Sequence, residues 1–160
     1  MSQELEIVLT PRGRDKLEQR LEHLRNVQRR EVAERIRDSK QFGDLAENAE
    51  YEDAKTEQAL VESQISELRR VLQMAQVLDF NEIPTEHIGL GSIVRMTNLD
   101  DDDEWEFTLV SSVEADPEND LVSDESPVGE ALFGKKVGDI VSIRVPNGLL
   151  QYRIDSIRKD

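Results

Sequence analysis

The sequence predicts an α+β chain in two parts: an antiparallel coiled-coil hairpin over residues 1–80, then a small twisted sheet with one short helix over 81–160. Three observations carry that expectation. Two long segments with apolar residues at three- and four-residue steps flank a single break at Gly43. Past Pro84, Gly89 and Gly91 the helical rhythm gives way to short alternating runs. The charge balance shifts at the same place: 13 basic and 17 acidic residues precede Asn81, whereas 7 and 18 follow it.

Taken in order, Glu6-Ile7-Val8-Leu9 is a brief apolar run that reads as an extended lead-in. Thr10-Pro11 then has the form of an N-cap with proline at the first helical position, where its missing N–H costs nothing. From there Leu17, Leu21, Leu24, Val27, Val32 and Ile36 make one apolar stripe, with the rhythm broken between Val27 and Val32. A helix from Pro11 to about Gln41 would be on the order of 45 Å long at ~1.5 Å per residue. Gly43 ends it, since glycine accepts the positive φ of a turn and weakens a helix interior. The second stripe, Ala54, Val61, Ile65, Leu68, Leu72 and Ala75, is narrow and coiled-coil-like. Two such helices joined by so short a connection fold back on each other, and each covers the other's stripe. A monomer is the expectation, because the hairpin covers its own seam.

Beyond the boundary, strands are expected over 92–96, 105–110, 140–145 and 150–157. Asp100-Asp101-Asp102-Asp103 and Pro146-Asn147-Gly148 read as turns, and 128–134 as a single helical turn ended by Gly134.

Composition narrows the functional classes. A formal charge of −15 argues against a protein that simply coats nucleic acid, which would have to neutralise phosphates. Charged residues are 34% of the chain and aromatics 4%, a balance that suits long solvated helices more than a large core. With no cysteine there is no disulfide framework, no thiolate zinc site and no thiol nucleophile. No long apolar run suggests a signal peptide or a membrane span, so a cytoplasmic location with no membrane partner is expected.

The bend holds the chemistry. Asp44 and Glu47 have capping-box spacing, which would serve the second helix without any further function. The same two carboxylates can instead share one Mg²⁺, an ion that takes one or two protein carboxylates and leaves its other positions to water and phosphate. Both readings stand at this point. Arg25, Arg29, Arg30, Arg35, Arg37 and Lys40 gather on the arm leading to the bend. They either pair with Glu31, Glu34 and Asp38 at helical spacing or face a phosphate chain. The four-aspartate turn lacks the spacing of a calcium loop, and His23 and His87 have no metal-ligand neighbours. No phosphate-binding glycine loop or nucleophile elbow is present.

Gly43-Asp44-Leu45-Ala46-Glu47-Asn48-Ala49-Glu50-Tyr51 closely resembles the tip motif of the bacterial Gre transcript cleavage factors. The resemblance continues at 75–79, 98–100, 126–132 and 134–139, so it spans nearly the whole chain. It implies a coiled-coil stalk followed by a domain of the FKBP-like type, which docks on RNA polymerase while the stalk enters the secondary channel. It further implies that Asp44 and Glu47 help hold the second Mg²⁺ of the polymerase, which then cleaves the nascent RNA of a backtracked complex. On that resemblance Lys40, Arg37 and Arg30 face RNA, and Ser126, Pro127, Val128 and Leu132 bind polymerase. The chain is then an accessory factor and not an enzyme by itself. The alternative is a regulator of the same shape that blocks the channel without cleavage; intact acids at both positions favour the first reading. A proline isomerase is a third reading, and the few aromatics of the second part speak against its pocket.

Overall fold

In a computed structural model, residues 7–41 and 48–160 are described. Helix α1 (Pro11–His23) runs into a π-helical turn at Leu24–Gln28 and continues as α2 (Arg29–Lys40). The single uninterrupted helix expected here is therefore corrected by one wide turn, and the reason is phase. Leu24 and Val32 are both buried, yet eight residues of α-helix would leave them about 80° apart at ~3.6 residues per turn. A π-turn absorbs one extra residue, or about 100°, and brings the two side chains back to within about 20° of one face. The broken step between Val27 and Val32 is the trace of that inserted residue.

Helix α3 (Ala49–Met74) supplies the other stripe. Leu24, Val32 and Ile36 on the first arm bury against Ala54, Val61 and Ile65, and Leu21, Tyr51 and Leu68 pack around them. At the far end of α3 it is Val71 that is buried, while Leu72 is half-buried. Exposed ion pairs flank the seam and add register more than stability.

The chain divides into two compact units, one of residues 14–75 and the other of the described residues up to Gly13 together with Gln76–Asp160. The grouping of the N-terminal residues has a plain cause. Strand β1 (Val8–Leu9) pairs in parallel with β2 (Gln76–Val77), Val8 opposite Gln76. Thr10 caps α1 by accepting from the Gly13 N–H at 3.0 Å. The carboxylate that a capping box would take from the third helical residue comes instead from Glu114, which accepts from Thr10 N at 2.8 Å and from Thr10 Oγ1 at 2.7 Å. Glycine at 13 is what makes room, because a Cβ there would overlap the Glu114 carboxylate.

The second unit is built on β3 (Ile93–Asn98), β4 (Glu104–Val110), β5 (Leu121–Ser123), β6 (Ile140–Val145) and β7 (Gly148–Arg158), with α4 (Pro127–Leu132) before β6. Their order in the sheet is β5-β4-β3-β7-β6; β4 and β5 run parallel and the other pairs antiparallel. Alternate residues of these strands turn inward. Val94, Met96, Phe107, Leu109, Val141, Ile143 and Ile154 form the core with Leu132 of α4. Both expected turns are present. The aspartate run joins β3 to β4, with Asp102 left-handed at φ 60°, and residues 146–147 join β6 to β7. Opposite the core, Asp155 accepts from the buried Thr97 hydroxyl and from Arg153, and these bonds hold its carboxyl below the ordinary value. No helix among the described residues is long and apolar enough to cross a membrane.

Deleting the exposed Asn26 should convert the π-turn to α-helix and leave Leu24 and Val32 a heptad apart, so the protein should melt at or above the parent temperature. Deleting the exposed Glu34 removes the same number of residues where no wide turn absorbs the loss. It should rotate Ile36 by about 100° out of the seam and lower the melting temperature by roughly 10 °C. Thermal denaturation followed by circular dichroism checks both.

Candidate functional site

The two arms of the hairpin meet at a neck that one side chain closes. Asn48 is the N-cap of α3, its Oδ1 accepting from Tyr51 N at 3.1 Å. Its Nδ2 donates to the carbonyl of Ser39, near the end of α2, at 2.6 Å. One amide thus satisfies an orphan N–H of one helix and an orphan carbonyl of the other. Ser39 is buried just beneath, its hydroxyl donating to the Ile36 carbonyl at 2.8 Å, and Tyr51 packs on the seam.

This corrects one expectation. The capping role assigned by spacing to Asp44 and Glu47 belongs, at α3, to Asn48. Asp44 and Glu47 themselves lie outside the described residues. The signal for Asn48 was available, since Asn is a strong N-cap residue. It stands inside the same motif as the Asp-x-x-Glu pair, which matches the capping box more fully.

The basic arm sorts into two classes. Arg29 donates Nε and Nη2 to the two carboxylate oxygens of Glu62 at 2.8 and 2.9 Å. Arg35 bridges Glu50 at 3.2 Å and also pairs with Glu57. Hydrogen bonds donated to these carboxylates raise both guanidinium pKa values further. The partners come from across the hairpin, not from Glu31, Glu34 or Asp38 of the same helix as expected. Arg25, Arg30, Arg37 and Lys40 are exposed and make no ion pair or side-chain hydrogen bond among the described residues. Arg30 and Arg37, two turns apart, share one flank of α2, and all four cations remain open to an outside anion.

In the sheet unit, the segment 126–132 is α4 with its cap. Ser126 Oγ accepts from Gly129 N at 3.0 Å and donates to the Ser123 carbonyl at 2.6 Å. Pro127 fills the first helical position and is exposed, whereas Val128 is half-buried against the core. Leu132 is 0% exposed and belongs to that core, so it can shape this surface but not touch a partner. Gly129 is buried where a Cβ would run into the Ser123 carbonyl. Phe133, which sequence reasoning passed over, is 54% exposed directly after α4. Its apolar character in a run of apolar residues pointed inward; only the end of the helix at Leu132 turns it out.

Two family models match the chain: "Transcription elongation factor, N-terminal" over residues 7–77, and "Transcription elongation factor, GreA/GreB, C-term" over residues 83–159. Among similar proteins, a transcription elongation factor GreA from Acetivibrio thermocellus is 48% identical over 159 residues, covering 99% of this chain and 100% of its own length. A second GreA, from Thermoanaerobacter pseudethanolicus, is 47% identical and covers 96% of this chain and 98% of its own. Among solved structures, the GreA factor homolog 1 of Thermus thermophilus is similar at 32% identity, 96% and 99% coverage and a TM-score of 0.45.

Replacing Asn48 by Ala should lower stability by about 1–2 kcal/mol, since it removes a cap and leaves the Ser39 carbonyl without its donor. Asn48→Ser keeps a cap alone and should fall between parent and Ala. Urea unfolding of the three proteins reads the order.

Proposed function

The chain belongs to the GreA/GreB family of transcription elongation factors, and from that premise we propose that it acts on RNA polymerase as a transcript cleavage factor. In this reading the sheet unit docks on the polymerase and the hairpin enters the secondary channel. Asp44 and Glu47 then stand at the polymerase active centre, where the RNA of a backtracked complex is hydrolysed. The hydrolysis belongs to the polymerase; this chain is an accessory factor, a monomer working in the cytoplasm. What carries the reading is the pair of acids at the bend of a hairpin whose following helix is capped by Asn48.

Two hard carboxylate donors suit Mg²⁺, and Asp44 and Glu47 would hold it together with groups of the polymerase and the RNA. When bound, that ion supplies positive charge at the attacking or leaving oxygen of the phosphodiester. The chain's own residues do the rest. Helix α3, with 26 residues, spans roughly 39 Å, which gives the arm its reach. The Asn48 amide ties the start of α3 to the end of α2 and so holds the neck closed. Arg30, Arg37 and Lys40, left open by the pairing pattern, face the nascent RNA. Exposed Pro127 and Phe133 with half-buried Val128 offer the polymerase an apolar contact, which Ser126 and Leu132 shape from beneath.

The experiment is cleavage of stalled elongation complexes by Asp44→Asn and Glu47→Gln proteins, with polymerase retention measured alongside. Stability and retention should match the parent, while stimulated RNA shortening should fall by roughly 10²-fold, the scale of losing one charge stabiliser of a transition state. Undiminished shortening would overturn the role of the acids. Inhibition of the parent complex without shortening would make the chain a channel-blocking regulator instead.

A further inference from the structure

The hairpin carries a concavity that the proposed function leaves unused. A groove of about 400 Å³ lies between Arg29 of α2 and a ridge of α3 formed by Glu62, Ser66, Arg69, Arg70 and Gln73. The ridge residues recur at helical steps, and the buried Ile65 forms the floor. Three guanidiniums line it against one carboxylate, in a chain whose formal charge is −15.

The three arginines differ in state. Arg29 is clamped by two bonds to Glu62. Arg70 is clamped in the same way by Glu67, at 3.2 Å from Nε and 2.6 Å from Nη2. Arg69 makes no hydrogen bond or ion pair among the described residues. Its charge nonetheless reaches Glu62, whose carboxyl is held below its ordinary value first by the Arg29 hydrogen bond and then by the charges of Arg29 and Arg69. One carboxylate therefore answers two cations here, and positive charge is left over.

Arginines already fixed by carboxylates lose little freedom on meeting a second set of oxygens. The free guanidinium of Arg69 on the same lining offers the forked donor geometry that phosphate oxygens match. The Ser66 hydroxyl and the Gln73 amide add neutral donors. We propose that this groove binds a phosphate-bearing polyanion, with Arg69 as its main charged contact and Arg29 and Arg70 as its walls. The site is independent of the acids at the bend. Its ligand is either a free oligophosphate or the backbone of a single strand.

The test is a titration of the ¹⁵N-labelled full-length protein at low salt, with inorganic triphosphate in one arm and a short single-stranded oligonucleotide in the other. Saturable shifts at Ser66, Arg69 and Gln73 are expected. Arg69→Gln should weaken binding by about tenfold or more. Arg20→Gln, an exposed change on α1 outside the groove, should leave it unchanged. Saturation by triphosphate assigns the site to a free oligophosphate; saturation by the oligonucleotide alone assigns it to a strand backbone. If neither ligand moves these residues, or if Arg69→Gln binds as the parent does, the site does not exist.

Discussion

Two helices that each carry a single apolar stripe must keep those stripes facing one another along their shared length, and the stalk is built around that constraint. Leu24, Val32 and Ile36 have no other place to go than against Ala54, Val61 and Ile65. A sequence with one residue too many between Leu24 and Val32 would turn half the stripe to water. The π-turn is the local concession that keeps the long-range contact, trading one wide turn of backbone for a continuous seam. The neck depends on it, because closure by Asn48 requires that α2 and α3 arrive there in phase.

Charge follows the same geometry. Pairs across the seam, Arg29 with Glu62 and Arg35 with Glu50 and Glu57, fall at positions flanking the apolar stripe, where side chains of the two helices meet. Residues turned further from the seam pair within one helix, as Arg70 does with Glu67, or stay open. Arg30, Arg37 and Lys40 stay open on α2 and Arg69 on α3, and Lys16, Arg20 and Arg25 of the first arm are likewise exposed and unpaired among the described residues.

Much of this was legible in the residues. Alternation located β3, β4, β6 and β7 within two residues at each end, because each buries one face over at least six positions. Strand β5 escaped: three residues, Leu121–Ser123, are too few to show a period, and its parallel pairing with β4 depends on a distant partner. The inserted residue near Val27 was visible as a break in rhythm, but rhythm alone does not say whether a helix kinks, ends or widens. At the bend, two capping signals overlapped within five residues and the fuller pattern was the wrong one for α3. The ion pairs of Arg29 and Arg35 were hidden for a simpler reason: their partners lie on the other helix, and spacing along one helix cannot reveal them.

The cap of α1 is a different kind of arrangement, because Thr10 draws its carboxylate from a residue 104 positions later. With β1 paired to β2, the N-terminal residues belong to a unit whose remaining parts begin only at Gln76. The stalk is thus an insertion in the sequence of another folding unit. On a ribosome the hairpin, whose contacts lie within residues 14–75, has all its partners long before Glu114 is made. The sheet unit must wait for nearly the last residue, when its own first strand has already been outside for most of the synthesis. The order of assembly is written into that one borrowed carboxylate: the hairpin first, then the sheet unit, whose first and last strands are made at opposite ends of the synthesis.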